Sequence, residues 1–298
     1  MSNVELTVVV PSVNGLHDLI PCLEALEHVR ASVRMEVLVV NRLGPDVTQV
    51  VQRDFPGARV IDVPLGTTIP EMRHRAFAEA LADAVAVIED HVIVPPEWGT
   101  RLLAGLAAGH DVVGGPIDNA ATERLLDWST FLCEYSACLP PLPEGPAEWL
   151  PGNNIVYRKA LLDRFRAVTA EGRWENRLHD AMKADGITLW CDAGLIVGHK
   201  KHFGYGEYLS QRFLYSRSYA GARVAGAPLP RRIAYGAAAF ALPPLLLMRT
   251  LRLITGKGVP KSRVVATLPF IMTYVMSWGV GEITGYWFGA GNSLAKVR

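Results

Sequence analysis

Cysteine is scarce in this chain: four occur in 298 residues, Cys22, Cys133, Cys138 and Cys191. None forms the C-x-x-C pairing of a zinc site, and the isolated C-x4-C spacing of Cys133 and Cys138 defines no disulfide framework. Reduced thiols in a cytosolic compartment are the expectation. Neither sign of charge is in excess. Thirty basic residues against 29 acidic ones leave a net charge of +1, which excludes a global field for nucleic acid. The opening stretch MSNVELTVVVPS has no basic segment and no long apolar core, so no secretory signal is expected. No internal repeat or low-complexity tract is visible. Uncharged runs long enough to cross a bilayer are also missing. Ile233–Met248 is 16 residues and Val264–Gly281 is 18, short of the roughly 20 that a spanning helix needs.

What is present is an alternation of β-branched runs with segments of helical spacing. Residues 5–11 (ELTVVVP), 36–40 (EVLVV), Val60–Val63 and Val85–Ile88 read as buried strands, with Asp111–Val113 a shorter one. Leu16, Leu19, Ile20, Leu23 and Leu26 mark a helix between the first two strands, and Pro70–Ala84 and Trp98–Ala108 read as further helices. Residues 139–151 (LPPLPEGPAEWLP) hold five prolines and predict a surface loop able to act as a lid. Beyond it come a strand at Ile155–Tyr157, a helix from Lys159, a helix over 174–185, and a last strand Thr188–Val197 ending at Gly198-His199. The length allows one large domain, or a domain with an appendage. Strands alternating with helices predict a mostly parallel α/β sheet with right-handed crossovers. Ligands of such sheets bind beyond the carboxyl ends of the strands. Val85–Ile88 would thus deliver Glu89, Asp90 and His91 to the functional edge; a polar turn is the other reading of those residues.

From Arg232 the character changes to apolar segments with basic flanks. Arg231 and Arg232 precede them, Arg249, Arg252, Lys257, Lys261 and Arg263 lie between them, and Lys296 and Arg298 follow. A two-span hairpin would place the middle cluster across the membrane from the rest of the chain, against the positive-inside tendency. Interfacial or re-entrant helices on the cytoplasmic face fit this symmetry better. A buried helical hairpin in a soluble protein is the alternative.

Several segments, taken in order, resemble the family 2 glycosyltransferases of GT-A fold, over about residues 5–220. Val8-Val9-Val10-Pro11-Ser12-Val13-Asn14 is similar to that family's opening strand and loop. Ile69-Pro70-Glu71-Met72-Arg73 resembles the helix whose arginine lies near the nucleotide diphosphate. Glu89-Asp90-His91, with Pro95-Pro96-x-Trp98 after it, resembles the metal-binding Asp-x-Asp segment. Gly152-Asn153-Asn154 resembles the strand entry near the sugars. In WENRLHDAMKADG, Leu178 and Gly186 keep the family's spacing, which puts Glu175 at the position of the catalytic aspartate.

The resemblance implies a GT-A domain, taken over 1–230, and the change of composition beyond it implies a membrane-associated helical hairpin over 231–298. The activity implied by the resemblance is inverting transfer of a single sugar from a nucleotide-sugar donor to a lipid-linked or cell-envelope glycan, at the cytoplasmic face of the cell membrane. The donor would be held by Pro11, Ser12, Asn14, Asn41, Arg73, Glu89 and Asp90. A divalent cation, Mn2+ or Mg2+, would be held by Asp90, His91 and His199. The acceptor or transferred sugar would meet Gly152, Asn153, Asn154, Trp174 (as a stacking face), Gln211 and Arg212. Glu175 would be the base. The chemistry has a reason for these types: a departing diphosphate needs cationic charge, and the acceptor hydroxyl needs a proton acceptor. A carboxylate in a helix's first turn is also what helix electrostatics favours by itself.

Three departures qualify the resemblance. His91 stands where the last metal-binding aspartate is expected. Asn41-Arg42-Leu43-Gly44 replaces the acidic segment that reads uracil, so a uridine donor is not implied. Gln211-Arg212-Phe213-Leu214-Tyr215 is similar to the Gln-x-x-Arg-Trp motif of processive synthases, but Leu214 replaces the arginine, which implies single transfer. QRFLYSRSYAGAR also reads as an amphipathic helix whose arginines meet lipid phosphates. A nucleotidyltransferase, and a non-catalytic membrane-tethered subunit that binds nucleotide sugars, are the alternative functions.

Overall fold

A computed structural model describes residues 4–297; Arg298, counted above in the C-terminal basic flank, lies outside the described residues, as does the start of the opening stretch. The elements run β1 (Leu6–Ser12), α1 (Leu16–Arg30), β2 (Met35–Asn41), α2 (Pro45–Asp54), β3 (Ala58–Asp62), α3 (Ile69–Glu79), β4 (Ala84–Ile88), β5 (Val92–Ile93), α4 (Trp98–Ala107), β6 (Val112–Gly114) and β7 (Ile117–Asn119). They continue with α5 (Leu125–Tyr135), β8 (Gly145–Ala147), β9 (Asn154–Arg158), α6 (Lys159–Arg164), α7 (Arg166–Thr169), α8 (Glu175–Ala184), β10 (Leu189–Cys191) and β11 (Val197–His199). The last helices are α9 (Tyr205–Arg223), α10 (Leu229–Ala238), α11 (Leu242–Ile254) and α12 (Lys261–Phe288).

The chain falls into two compact units. One comprises the residues up to Ala120 together with Pro140–Lys200; the other comprises Ala121–Leu139 together with Lys201 onward. Helix α9 thus groups with the C-terminal helices, ahead of the division at residue 230 expected from composition.

The first unit is built on an eight-stranded sheet of order β3-β2-β1-β4-β9-β6-β10-β8, with a smaller sheet β5-β11-β7 beside it. Strands β3, β2, β1 and β4 run parallel to one another, whereas β9 is antiparallel to both β4 and β6. Every residue of β1, β2 and β4 is buried, which is why these segments read as continuous apolar runs rather than alternating ones. The order places the carboxyl ends of β1 and β4 side by side, where chain connections leave in opposite directions along the sheet. That is the crevice in which doubly wound sheets bind ligands.

Three boundaries differ from expectation, each for a local reason. Helix α3 stops at Glu79 rather than near Ala84. The amide of Leu81 donates to Glu36 Oε2 at 3.1 Å and that of Ala82 to Thr7 Oγ1 at 3.1 Å, so side chains of β1 and β2 capture the chain and turn it into β4. The expected strand Thr188–Val197 is two strands, β10 and β11, in different sheets. Between them Asp192 accepts the amide of Gly194 at 2.9 Å and the guanidinium of Arg101, forming a turn that hydrophobic pattern does not register. The proline-rich segment 139–151 is mostly loop, but it adds β8 antiparallel to the edge of β10.

In the second unit α9 and α12 run side by side. Tyr208 meets Tyr274 at 4.5 Å between ring centroids, Ser277 Oγ donates to Leu209 O at 2.8 Å, and a Cβ on Gly281 would lie 2.5 Å from Phe213 O. Glycine at 281 is what lets the two backbones approach. Helix α5 completes this packing, with Tyr208 donating to Thr130 O at 3.0 Å. Helices α10 and α11 fold back along α12, Arg232 donating to the carbonyls of Tyr286 and Trp287 at 3.0 and 2.8 Å. Two helical stretches, Leu229–Ile254 and Lys261–Phe288, are long and apolar enough to cross a membrane by length and composition; both exceed the uncharged runs counted in the sequence.

Helix α3 positions Arg73, and its start is held by a capping box in which Thr68 N donates to Glu71 Oε2 at 2.7 Å and Glu71 N to Thr68 Oγ1 at 3.4 Å. Thr68→Ala is expected to lower the unfolding free energy by about 1 kcal/mol, measured by denaturant titration against the parent chain. An unchanged midpoint would show that packing alone holds this end.

Candidate active site

The carboxyl end of β4 carries Glu89, Asp90 and His91 into the crevice beside β1, and each has a different job. Asp90 faces the β1 loop. Its Oδ2 accepts the amides of Val13 and Asn14 at 2.8 and 2.9 Å, and its Oδ1 accepts Asn14 Nδ2 at 2.7 Å and lies 3.1 Å from His91 Nδ1. Both oxygens are therefore engaged in tying β1 to β4, and the side chain is fully buried. Glu89 faces the other way, accepting Asn153 Nδ2 at 2.8 Å, with His91 Nε2 at 3.4 Å and Arg73 at 3.7 Å.

His91 Nε2 also lies 2.9 Å from His199 Nε2, at the end of β11. Glu89, His91 and His199 thus present one ligand atom each within 4.8 Å of one another. Two imidazole nitrogens that face each other at this separation are satisfied by one shared proton or by one shared ion, and cis ligands about 2.0–2.1 Å from an ion sit roughly 3 Å apart. A mixed set of imidazole nitrogen and carboxylate oxygen donors is one that first-row divalent ions accept. The residues present therefore fit a divalent cation, with Glu89 supplying the carboxylate that was expected of Asp90.

The electrostatics agree with a cation-seeking site. Burial pushes Glu89 up, but the His91 hydrogen bond and the charges of His91, Arg73 and His199 outweigh it and hold the carboxyl at about 2. Burial likewise pushes His91 down, yet Asp90 and Glu89 beside it raise the imidazole to about 9. Asp90 is held below the ordinary carboxylate range, its burial outweighed by His91, Asn14 and the Val13 amide.

Glu175 opens α8, and its Oε2 accepts Arg73 Nη1 at 3.0 Å. The buried guanidinium of Arg73 therefore bridges Glu175 and Glu89. Gly152 makes this possible: a Cβ there would come within 2.5 Å of Glu175 Cδ. The glycine expected to touch sugar instead clears space for the carboxylate, while Asn153 beside it orients Glu89.

Other expected contacts are engaged elsewhere. Asn154 is buried, accepting Trp98 Nε1 at 3.0 Å and donating to Pro116 O and Leu195 O at 3.0 and 2.7 Å, so it braces β9 rather than facing a ligand. Asn41 Nδ2 donates to Gly44 O, Thr48 Oγ1 and Asp62 Oδ1, and its Oδ1 accepts the amide of Leu43, which builds the turn after β2. Trp174, expected as a stacking face, is only 8 % exposed. Pro11 and Ser12 end β1, both buried. In the second unit, Gln211 donates to Lys296 O at 3.4 Å, and Arg212 packs over the rings of Trp278 and Tyr208, 3.5 Å from Glu134. That unit also gathers Glu123, Asp127 and His202, but Asp127 is already paired with Arg124 and His202.

Sequence reading missed the support behind Glu175. Tyr157 of β9 and His179 of α8 are buried together, with Tyr157 OH 2.7 Å from His179 Nε2. Tyr157 lines a small cavity of about 30 Å³ shared with Arg73, Gly152 and Glu175. The signal was there: His179 follows Glu175 by four residues on one helix face, and Tyr157 lies on β9, four residues after Asn153 at the entry to that strand.

The chain's matches to known proteins agree with this geometry. The family model for glycosyl transferase family 2 matches residues 7–162, more than half of the chain. In structure the chain is similar to TarS residues 1–349 from S. aureus, with a TM-score of 0.52 at 13% identity, covering 94% of this chain and 90% of that one. The same TarS fragment in complex with UDP gives 0.51 at 15% identity, covering 94% and 90%. The mannosyltransferase PcManGT from Pyrobaculum calidifontis, in complex with GDP-Man and Mn2+, gives 0.57 at 15% identity, covering 94% and 87%. No curated protein matches. The fold is that of the GT-A glycosyltransferases. The chain belongs to glycosyl transferase family 2 and is a transferase enzyme.

Two outcomes test the site's construction. Gly152→Ala should displace Glu175 and lower kcat/KM about 10²-fold, while the circular dichroism of the chain stays as in the parent; full activity would separate Glu175 from the chemistry. Burial, with the charges of Lys183 and Arg73, holds His179 down at about 3. The unfolded chain therefore binds this proton more readily than the folded one, so stability falls as pH drops from about 6.5 towards 3. His179→Gln should flatten that part of the thermal-stability profile. An identical slope in parent and variant would contradict the neutral buried histidine.

Proposed function

We propose that this glycosyltransferase inverts the anomeric carbon as it moves a single sugar from a nucleotide-sugar donor to a lipid-linked or cell-envelope glycan acceptor at the cytoplasmic face of the membrane. The observation that carries the reading is the Arg73 bridge. One guanidinium joins the carboxylate of Glu175 to that of Glu89, which belongs to the cation-binding group. A proton acceptor and a charge-stabilising group are thereby fixed close together in the crevice of the sheet.

In this reading Glu89, His91 and His199 hold a divalent cation, Mn2+ or Mg2+, which when bound supplies positive charge to the departing diphosphate. Asp90 holds the β1 loop, with Pro11, Ser12 and Asn14, against the same edge. Arg73 adds its charge beside the diphosphate. Glu175, set on the first turn of α8, takes the proton from the acceptor hydroxyl. A base opposite the leaving group gives inversion. That PcManGT is described with GDP-Man and Mn2+, and TarS with UDP, supports a nucleotide-sugar donor and a metal. The two apolar helical stretches with basic flanks support membrane association.

Glu175→Gln keeps the size of the side chain and removes the base. Turnover is expected to fall by about 10²–10⁴, with donor affinity within a few-fold of the parent in a titration calorimetry experiment. Unchanged turnover would remove Glu175 from the base role. His199→Ala should weaken Mn2+ binding, measured directly on the ion without substrate; equal affinity would remove the histidine pair from the metal site.

A further inference from the structure

The proposed membrane association leaves open how the apolar helices meet lipid, and their packing within the second unit bears on this. Helix α12 has 28 residues and at 1.5 Å per residue is long enough to cross a bilayer. What lies alongside it is the constraint. From Phe270 to Gly285 it packs continuously on α9: Tyr205 against Phe270, Leu209 against Ser277, Phe213 against Gly281, and Arg217 and Ala220 against Gly285. Helix α9 carries Glu207, Arg212, Arg217 and Arg223 along its length, and Arg223 is 47% exposed. The first turn of α12 packs on α5, where Arg263 covers the Trp128 ring at 4.3 Å. If α12 crossed the bilayer, α9 and its charges would enter the hydrocarbon with it, a placement that lipid strongly disfavours.

The exposed faces point to another arrangement. Along α12 the exposed residues Val265, Pro269, Met272, Met276 and Val280 recur every three or four positions and form one uncharged stripe. Along α10, α11 and the short helical turn Ala239–Ala241 between them, exposed Leu229, Ile233, Ala237, Phe240, Pro244 and Met248 form a second stripe at the same spacing. Cations border the stripes: Arg231 at one end, and Arg249, Arg252 and Lys261, all exposed, at the other. An apolar stripe bordered by basic residues is the complement of an anionic lipid surface.

We infer that residues 229–288 lie in the plane of one leaflet of an anionic phospholipid bilayer, apolar stripes down, and do not cross it. This rests on the membrane reading above. The turn between α11 and α12, with Lys257, then stays on the same side as the catalytic unit, in accord with the positive-inside tendency.

The test uses the full chain in sealed membrane vesicles with two single substitutions at exposed sites, Ser262→Cys beside the turn and Gln52→Cys on α2, and a membrane-impermeant maleimide. In-plane binding predicts that both label to the same extent from the same face without detergent. Labelling of Ser262→Cys only after permeabilisation, with Gln52→Cys labelled before it, would show a span and overturn the inference while leaving membrane association standing. Recovery of the chain in the soluble fraction would overturn both. A second measurement is independent of labelling chemistry. Binding of the purified chain to phosphatidylglycerol vesicles should exceed binding to phosphatidylcholine vesicles at least about 10-fold and weaken with salt; equal binding would contradict the anionic-lipid assignment.

Discussion

The guanidinium of Arg73 is the constraint around which the catalytic unit is arranged. It is buried, and a buried charge needs partners to offset its desolvation. Here they are Glu175 at 3.0 Å and Glu89 at 3.7 Å, on segments remote in sequence. The capping box at Thr68 fixes the start of α3, the end of β4 fixes Glu89, and Gly152 leaves room for Glu175. Each of these is local, but together they hold a carboxylate proposed as the base beside a group of donors proposed for a cation. Loss of Arg73 would leave two partly buried acids without their cation, a cost of the order of 3–5 kcal/mol for breaking such a pair.

A second device divides labour along one tripeptide. In Glu89-Asp90-His91 the middle residue points back to the β1 loop while its neighbours point forward to Arg73 and His199. The segment is a turn between β4 and β5, closed by the amide of Val92 donating to Glu89 O at 3.0 Å, and the turn sends the three side chains in different directions. The departure at His91 then makes chemical sense. An imidazole there faces that of His199 across 2.9 Å, so the histidine supplies a nitrogen donor where an aspartate would have supplied oxygen.

Much of this was legible in the sequence because it rests on runs and spacings. The buried strands β1, β2 and β4 announce themselves as apolar runs, and Glu175 is found from the interval to Leu178 and Gly186. What stayed hidden depends on partners distant in the chain. Nothing near Asp90 in the sequence says that two amides of the β1 loop occupy one of its oxygens, so pattern alone places it among the metal ligands. Asn154 and Asn41 carry the polar amides expected of binding residues, yet both are consumed by backbone carbonyls and turn contacts that only the fold creates. Trp174 looks like a sugar platform until packing covers its ring. The break between β10 and β11 hinges on Asp192 and Arg101, 91 residues apart, which no periodicity reports. In the second unit, uncharged runs undercounted the helices because charged and polar residues at their ends are still helical.

The central claim is that the crevice between β1 and β4 turns over a nucleotide sugar with the help of a divalent cation. It is tested most directly by measuring hydrolysis and binding of UDP-, GDP- and dTDP-sugars by the detergent-solubilised chain, with Mn2+, Mg2+ or EDTA. The account predicts turnover of one donor that EDTA abolishes and Mn2+ restores. Tight donor binding and turnover unaffected by EDTA would contradict the metal role of Glu89, His91 and His199, and failure to bind any of these nucleotide sugars would contradict the assignment of the crevice as a donor site.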